Sequence, residues 1–169
     1  PISTWRMPAV SRVQPSLAVT PQDCDAQFLT NARSTFFGVQ KIAPVLRDGG
    51  TILLISSIAS RKVLDGHAVY AGSKAAIEAF ARNWALEFKD QRIRVNVLSP
   101  GPTATPIIGK LGIPAEALSQ VEDMAAQAIP FGRIGEADEL AQAALFLCSA
   151  QSDFVTGVNL TVDGGMALT

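Results

Sequence analysis

Histidine, cysteine and tyrosine are scarce in this chain, and their scarcity limits its chemistry. The single histidine, His67, excludes a metal cluster built from several histidines. The two cysteines, Cys24 and Cys148, are far apart and lack the spacing of a redox pair or a metal site, so we expect reduced core thiols and no bound metal. Tyr70 is the only tyrosine, so any phenol chemistry depends on that one residue.

Charge and long apolar runs are also lacking. Charged residues make up 17% of the 169 residues and the net charge is -1, which leaves no basic surface for nucleic acid or an anionic membrane. No apolar run approaches the length of a membrane span, and no charged-then-apolar leader is visible. We therefore expect a cytoplasmic protein with no nucleic-acid and no membrane partner.

Hydrophobic residues, at 48%, are sufficient for one buried core. Helical and extended patterns alternate along the chain, which predicts an α/β fold with a parallel sheet. The predicted helices cover residues 21–46 (continuous or broken), 69–89 and 137–149, and the predicted strands cover residues 51–56, 94–98 and 158–162. Thr20 is the expected N-cap of the first helix, with Pro21 at its first position.

Two stretches differ from this alternation. Residues 1–20 contain three prolines and no regular period, so we expect an irregular segment and assign it no role. Residues 21–169 are predicted to be a single α/β domain. Within it, residues 102–130 are interrupted by proline and glycine, and a segment of this length is more typical of a lid or binding loop than of a connector.

The predicted chemistry lies in residues 51–74. A strand ends at Ser57, and the following helix carries Tyr70 and Lys74 at the i, i+4 spacing that places two side chains on one face. A neighbouring ammonium lowers the pKa of a phenol, so this pair could exchange protons with an alcohol or carbonyl while Ser57 binds the substrate oxygen. The alternative is an interfacial Tyr70 and a solvated Lys74. His67 either contacts substrate or is an exposed loop residue.

Asn31 and the end of the second strand are further candidates. An asparagine within a helix competes for backbone partners, so Asn31 either faces solvent or has a specific role. The second strand ends in Pro100 and Gly101, and open parallel sheets bind ligands at such strand ends.

Together these motifs resemble the short-chain dehydrogenase/reductase family. The resemblance runs from about Thr20 to the carboxyl end and implies a partial doubly wound, Rossmann-like sheet. It also implies a nicotinamide cofactor, NAD or NADP, interconversion of a small ketone and a secondary alcohol, and assembly into a homo-oligomer. The motifs are TNARSTFF (residues 30–37), Ser57, YAGSK (70–74), RVNVLSPGPTATP (94–106), PFGRIG (130–135) and VTGVNLTVDGG (155–165).

The resemblance assigns roles to single residues. Tyr70 matches the proton donor and acceptor, and Lys74 the residue that lowers its pKa and binds the nicotinamide ribose. Ser57 matches the partner of the substrate oxygen, and Asn31 the residue that holds its helix open for a proton-relay water. The implied cofactor contacts are Tyr70, Lys74, Pro100, Gly101, Thr103 (nicotinamide carboxamide) and Thr105 (pyrophosphate).

The sequence also departs from the family. The glycine-rich turn that seats the pyrophosphate is missing, as is the strand end that selects NAD or NADP. The Thr51 strand would lack its usual neighbour, so we expect its edge to be covered by an amino-terminal portion, another protomer or the first twenty residues. The alternative function is an inactive, truncated assembly module. An epimerase or dehydratase is disfavoured by the short carboxyl end.

Overall fold

This computed structural model describes residues 9–104 and 123–169, which form a parallel sheet with helices on both faces. The helices are α1 (Pro21–Phe28), a π-helical turn (Leu29–Arg33), α2 (Ser34–Ile42), α3 (Ala68–Glu87) and α4 (Ala137–Cys148). The strands are β1 (Thr51–Ile55), β2 (Arg94–Pro100), β3 (Thr103–Ala104), β4 (Gly135–Glu136) and β5 (Asn159–Val162). The predicted α/β fold with a parallel sheet is confirmed.

The main sheet has the order β1-β2-β5, and both of its pairings are parallel. Ile55 of β1 is opposite Leu98 of β2, and Pro100 of β2 is opposite Val162 of β5. All three strands therefore end at one edge of the sheet. A separate two-stranded sheet joins β3 to β4 in parallel.

The first helix begins as predicted, since the Thr20 hydroxyl accepts a hydrogen bond of 3.2 Å from the Asp23 amide. The chain stays helical from Pro21 to Val45, but its hydrogen-bond pattern changes along the way. A π-helical turn at Leu29–Arg33 separates α1 from α2, and a 3-10 turn at Ala43–Val45 follows α2. Asn31 lies in the π-helical turn, and such turns are frequent at functional sites.

One core fills the space between the sheet and helices α2 and α3. Val95 and Val97 of β2 are at most 1% exposed, and the buried Trp84 of α3 packs against the same cluster. Thr51 points to the opposite face, because side chains alternate along a strand, and its hydroxyl lies 3.5 Å from the Leu147 carbonyl of α4. Helices thus cover both faces, as a doubly wound sheet requires.

Within the described residues, β1 is an edge strand. The segment of residues 9–19 does not pair with it but runs against α1 and the loop before α3. Its Gln14 amide donates a hydrogen bond of 3.0 Å to the Gly66 carbonyl. The suggestion that the amino-terminal residues replace the missing strand is therefore wrong for residues 9–19. Most of the predicted lid, residues 105–122, lies outside the described residues; residues 123–127 are helical.

Candidate active site

Ser57 is the second residue after β1, at the edge of the sheet where the strands end. Its backbone is extended, and its hydroxyl oxygen accepts a hydrogen bond of 3.2 Å from the Ala59 amide at the start of a 3-10 turn. This contact leaves the Ser57 proton free to point elsewhere. The same hydroxyl lies close enough to the Tyr70 phenol to act on its pKa.

Tyr70 and Lys74 occupy the first turns of α3, on the face that points toward the end of β1. The Lys74 Nζ lies 5.8 Å from the centre of the Tyr70 ring, so the predicted proximity of phenol and ammonium is confirmed. Lys74 is only 5% exposed, and its Nζ donates a hydrogen bond of 3.1 Å to the Ile55 carbonyl. The alternative of a solvated Lys74 is therefore wrong.

Burial governs the ionisation of both groups. Burial raises the pKa of Tyr70 above its ordinary value, and the hydrogen bond from Ser57 opposes that rise. The predicted lowering of the Tyr70 pKa is thus opposite in direction to what the structure gives. Burial also lowers the pKa of Lys74 from 10.5 to about 8. At neutral pH the phenol keeps its proton and the amine is mostly an ammonium.

Asn31 is buried, at 2% exposure, and its side chain binds the backbone of the amino-terminal segment. Its Oδ1 accepts from the Val10 amide at 2.9 Å, and its Nδ2 donates to the Val10 carbonyl at 2.8 Å. The Nδ2 also donates to the Ser73 hydroxyl at 3.0 Å, and Ser73 donates to the Tyr70 carbonyl at 2.8 Å. Asn31 therefore reaches the Tyr70 turn through Ser73, a link that the sequence prediction missed.

Pro100 and Gly101 lie at the end of β2, on the same edge of the sheet as Ser57. A Cβ atom on Gly101 would stand 2.7 Å from the Cβ of Asp163, so only glycine fits there. The Thr103 hydroxyl donates to the Gly101 carbonyl at 3.0 Å, and Thr103 borders a cavity of about 300 Å³. Thr105 lies outside the described residues.

His67 is half-buried rather than fully exposed. Its Nδ1 lies 2.6 Å from the Asp65 carbonyl, and its ring meets the Tyr70 ring edge to face with centres 6.3 Å apart. His67 thus borders the site.

Known proteins match most of this chain. A family model described as enoyl-(acyl carrier protein) reductase matches residues 7–167. The oxidoreductase asL5 of Sarocladium schorii is 40% identical over 152 residues, covering 88% of this chain and 59% of that protein. Tetrahydroxynaphthalene reductase of Pyricularia oryzae is 38% identical over 158 residues, covering 89% of this chain and 56% of that protein.

A solved structure matches as well. A gluconate 5-dehydrogenase from Burkholderia cenocepacia, in complex with NADP and tartrate, aligns with a TM-score of 0.86 at 32% identity, covering 96% of this chain and 63% of that one. The chain belongs to the short-chain dehydrogenase/reductase family. Its resemblance to that family, inferred above from the motifs, is thereby confirmed.

The family match extends further toward the amino end than the motifs indicated. It begins at residue 7 rather than near Thr20, so the match includes residues 7–19. Within this range the Val10 backbone is hydrogen-bonded to Asn31 of the π-helical turn. The chain nevertheless spans only 59% and 56% of the lengths of the two relatives described above.

Two further findings concern metals and membranes. The described residues contain no group of three or more histidine, cysteine or acidic side chains that could hold a metal ion. None of the described helices is long and apolar enough to cross a membrane.

Cys24 and Cys148 are free thiols and half-buried, so the predicted placement in the core is only partly correct.

Proposed function

We propose that this short-chain dehydrogenase/reductase is an NAD(P)-dependent oxidoreductase that interconverts a ketone and a secondary alcohol. The observation that carries the proposal is the convergence of Ser57, Tyr70 and the buried Lys74 at the carboxyl edge of the sheet. Among the described residues Lys74 forms no ion pair with a carboxylate. A buried, unpaired lysine costs stability, and strongly perturbed groups of this kind cluster at functional sites.

Ser57 and Tyr70 would act on the substrate oxygen. Both carry hydroxyls at the carboxyl end of the sheet, and Ser57 is near enough to lower the Tyr70 pKa, so a carbonyl oxygen bound beside them would meet two O–H donors. Because burial raises the Tyr70 pKa, the phenol holds its proton at neutral pH and can donate it as the carbonyl becomes an alcohol. A protonated Tyr70 phenol therefore suits the reduction of a ketone to an alcohol.

Lys74 is proposed to bind the nicotinamide ribose and to stabilise charge on Tyr70 after proton transfer. Among the described residues its Nζ donates to the Ile55 carbonyl, which leaves two of its three donors for ribose hydroxyls. This donor set and the open end of β2 at Pro100 and Gly101 fit the nicotinamide half of a dinucleotide. A nicotinamide bound there would supply or accept the hydride.

Asn31 is proposed to set the position of the Tyr70 turn. Its amide joins the Val10 backbone to Ser73, and Ser73 holds the Tyr70 carbonyl. A relay water beside Asn31, which the family resemblance implies, remains a prediction. Thr103 and Thr105 remain predicted cofactor contacts.

The substrate is proposed to be a small ketone or the corresponding secondary alcohol. A related enzyme is named a tetrahydroxynaphthalene reductase, and the matching structure is a gluconate 5-dehydrogenase, so a polyphenolic ketone and a keto sugar acid are the two compounds to test first.

Cofactor titration tests the proposal. Isothermal titration calorimetry with NADH and NADPH should detect binding to the wild-type chain and weaker binding to Lys74→Met. Turnover is then followed by the loss of near-ultraviolet absorbance of the reduced cofactor, with Tyr70→Phe as the matched inactive control. Binding of neither cofactor would contradict the enzyme assignment for this chain and favour the assembly-module alternative.

A homo-oligomer is also proposed. Apolar side chains are exposed on α2 and α3 and, on the other face of the sheet, on α4, among them Phe37, Leu86 and Phe146. Large exposed apolar patches mark interfaces, and we propose that one of these helical faces forms such a patch. Light scattering after size-exclusion chromatography should give a mass at least twice that of one chain; a monomeric mass would contradict this part of the proposal.

A further inference from the structure

Glu78 is a buried carboxylate that none of the proposed catalytic steps uses. It lies on α3, one turn beyond Lys74, and is only 6% exposed. Burying a carboxylate is costly unless hydrogen bonds satisfy its oxygens. In this structure the Glu78 oxygens are satisfied by one short stretch of chain, the stretch that contains Ser57.

Three side chains around Ser57 converge on this carboxylate. The hydroxyls of Ser56 (3.2 Å) and Ser60 both contact Glu78 Oε1. The Nε of Arg61 lies 3.3 Å from Oε2. These partners precede and follow Ser57 in sequence, so the carboxylate holds both sides of the residue that contacts Tyr70.

The same partners are tied to the backbone of the site. The Ser60 hydroxyl lies 2.6 Å from the Ser57 carbonyl, and the Ser56 hydroxyl lies 3.1 Å from the Lys74 carbonyl. Each hydroxyl has one proton, which it shares between the carbonyl and the carboxylate. Among the bonds of the described residues, the Ser57 hydroxyl accepts a local one, from the Ala59 amide. The position of the Ser57 hydroxyl therefore depends on the 3-10 turn Ile58–Ser60. The contacts of Ser60 and Arg61 with Glu78 hold that turn against α3.

We propose that Glu78 is a positioning residue: its carboxylate fixes Ser56, Ser60 and Arg61 so that the Ser57 hydroxyl points at the Tyr70 phenol. Glu78 touches neither the phenol nor the proposed substrate oxygen, and it acts through Ser57. This inference deepens the proposed function, because it names a residue on which the geometry of that site depends.

The single tyrosine makes the inference testable without turnover. Carbon-13 placed at Cζ of tyrosine gives one NMR resonance, that of Tyr70, whose pH titration reports the phenol directly. The Ser57 hydrogen bond lowers the Tyr70 pKa, so its loss raises the titration midpoint. In the part of the chain that the structure describes, His67 and Lys74 are the other titratable groups beside the phenol, and both stay unchanged in the variants compared.

The variants are Glu78→Gln, which keeps the side-chain volume, and Ser57→Ala, which removes the hydroxyl. Glu87→Gln, an exposed position on the same helix, is the matched control. We expect Glu78→Gln to shift the resonance and raise the midpoint in the same direction as Ser57→Ala, and the double variant to add nothing further. Glu87→Gln should titrate like the wild type.

If Glu78 has only a structural role, Glu78→Gln lowers stability but leaves the Tyr70 titration of the folded molecules at its wild-type midpoint. That result would overturn the inference. If Glu78→Gln does not fold, Ser60→Ala replaces it, since that change removes one of the three contacts. An unchanged Tyr70 midpoint in folded Ser60→Ala would then count equally against it. No cofactor is present, so failure here is distinct from failure of the proposed reaction.

Discussion

Replacing Lys74 by methionine should make the protein more stable at neutral pH. Burial lowers the pKa of Lys74 from 10.5 to about 8, which corresponds to a cost of about 3 kcal/mol for folding with the ammonium buried. Methionine has a similar length and carries no charge, so the variant avoids this cost. It loses the hydrogen bond to the Ile55 carbonyl, worth about 1 kcal/mol, which leaves a net gain of about 2 kcal/mol.

The stability difference between Lys74→Met and the wild type should depend on pH. The unfolded chain keeps the Lys74 proton up to pH 10.5, whereas the folded chain releases it at about pH 8. Between these values the unfolded state binds more protons, so the free energy of unfolding of the wild type rises with pH relative to Lys74→Met. The advantage of the variant is therefore full below pH 8 and shrinks as the pH rises toward 10.5.

Urea unfolding followed by tryptophan fluorescence, to which the buried Trp84 contributes, measures this difference at several pH values from 7 to 10. Comparing the two proteins at each pH cancels the contribution of Cys148, whose raised pKa is common to both. Lys89→Met, at an exposed position, is the control and should match the wild type. A Lys74→Met protein that is less stable at pH 7, or a difference independent of pH, would refute the reasoning.

Three further predictions concern single side chains. Tyr70→Phe removes only the hydroxyl, so it should abolish turnover while changing the free energy of unfolding by about 1 kcal/mol or less; measurable turnover would contradict the assignment. Arg94 is buried and donates to the carbonyls of Leu147, Ser149 and Val155. Arg94→Met should therefore lower the free energy of unfolding, measured in urea, by about 3 kcal/mol. A loss below about 1 kcal/mol would contradict this prediction and show that water replaces the guanidinium. The Arg133 hydrogen bond holds the pKa of Glu139 down from 4.5 to about 2. The stability it supplies is present above pH 4.5 and is lost as the pH falls toward 2; Glu139→Gln should flatten this acid-induced loss, and an identical loss in both proteins would argue against the pair.

The order of helices and strands could be predicted because it depends on local patterns. Apolar spacing located α3 and β2, and the Thr20-Pro21 pair located the start of α1. An interruption in the first helix was one of the two expected outcomes, but the π-helical turn and its cause were not predicted. Asn31 is held by Val10, which lies 21 residues earlier in the chain, and no periodic pattern reports a contact of that kind.

The Tyr70 pKa shows where sequence reasoning failed. Helical spacing correctly brought Lys74 close to the phenol, and proximity alone would favour the phenolate. The sign of the shift is nevertheless set by desolvation, which depends on how β1 and α3 enclose the pair. Burial of this kind is a property of the tertiary structure. The sequence could therefore identify the groups beside the phenol, but not whether desolvation or the ammonium has the larger effect on its pKa.

Glu78 was missed for a related reason. An acidic residue within a helix is ordinarily solvated, and nothing in the sequence marks it as buried. Its spacing from Lys74 was the available signal, because residues four apart share a helix face. Only the fold brings Ser56, Ser60 and Arg61 onto that face.

The central claim is that Ser57, Tyr70 and Lys74 form the nicotinamide end of a cofactor site, and one NMR titration tests it most directly. Nicotinamide mononucleotide, which contains only that half of the cofactor, is added to protein carrying carbon-13 at Cζ of Tyr70, with adenosine monophosphate added to a parallel sample. We predict that the nicotinamide compound moves the Tyr70 resonance in a saturable way, that the adenosine compound does not, and that Lys74→Met weakens the response. A Tyr70 resonance that stays in place up to the highest soluble concentration of the nicotinamide compound would contradict the account.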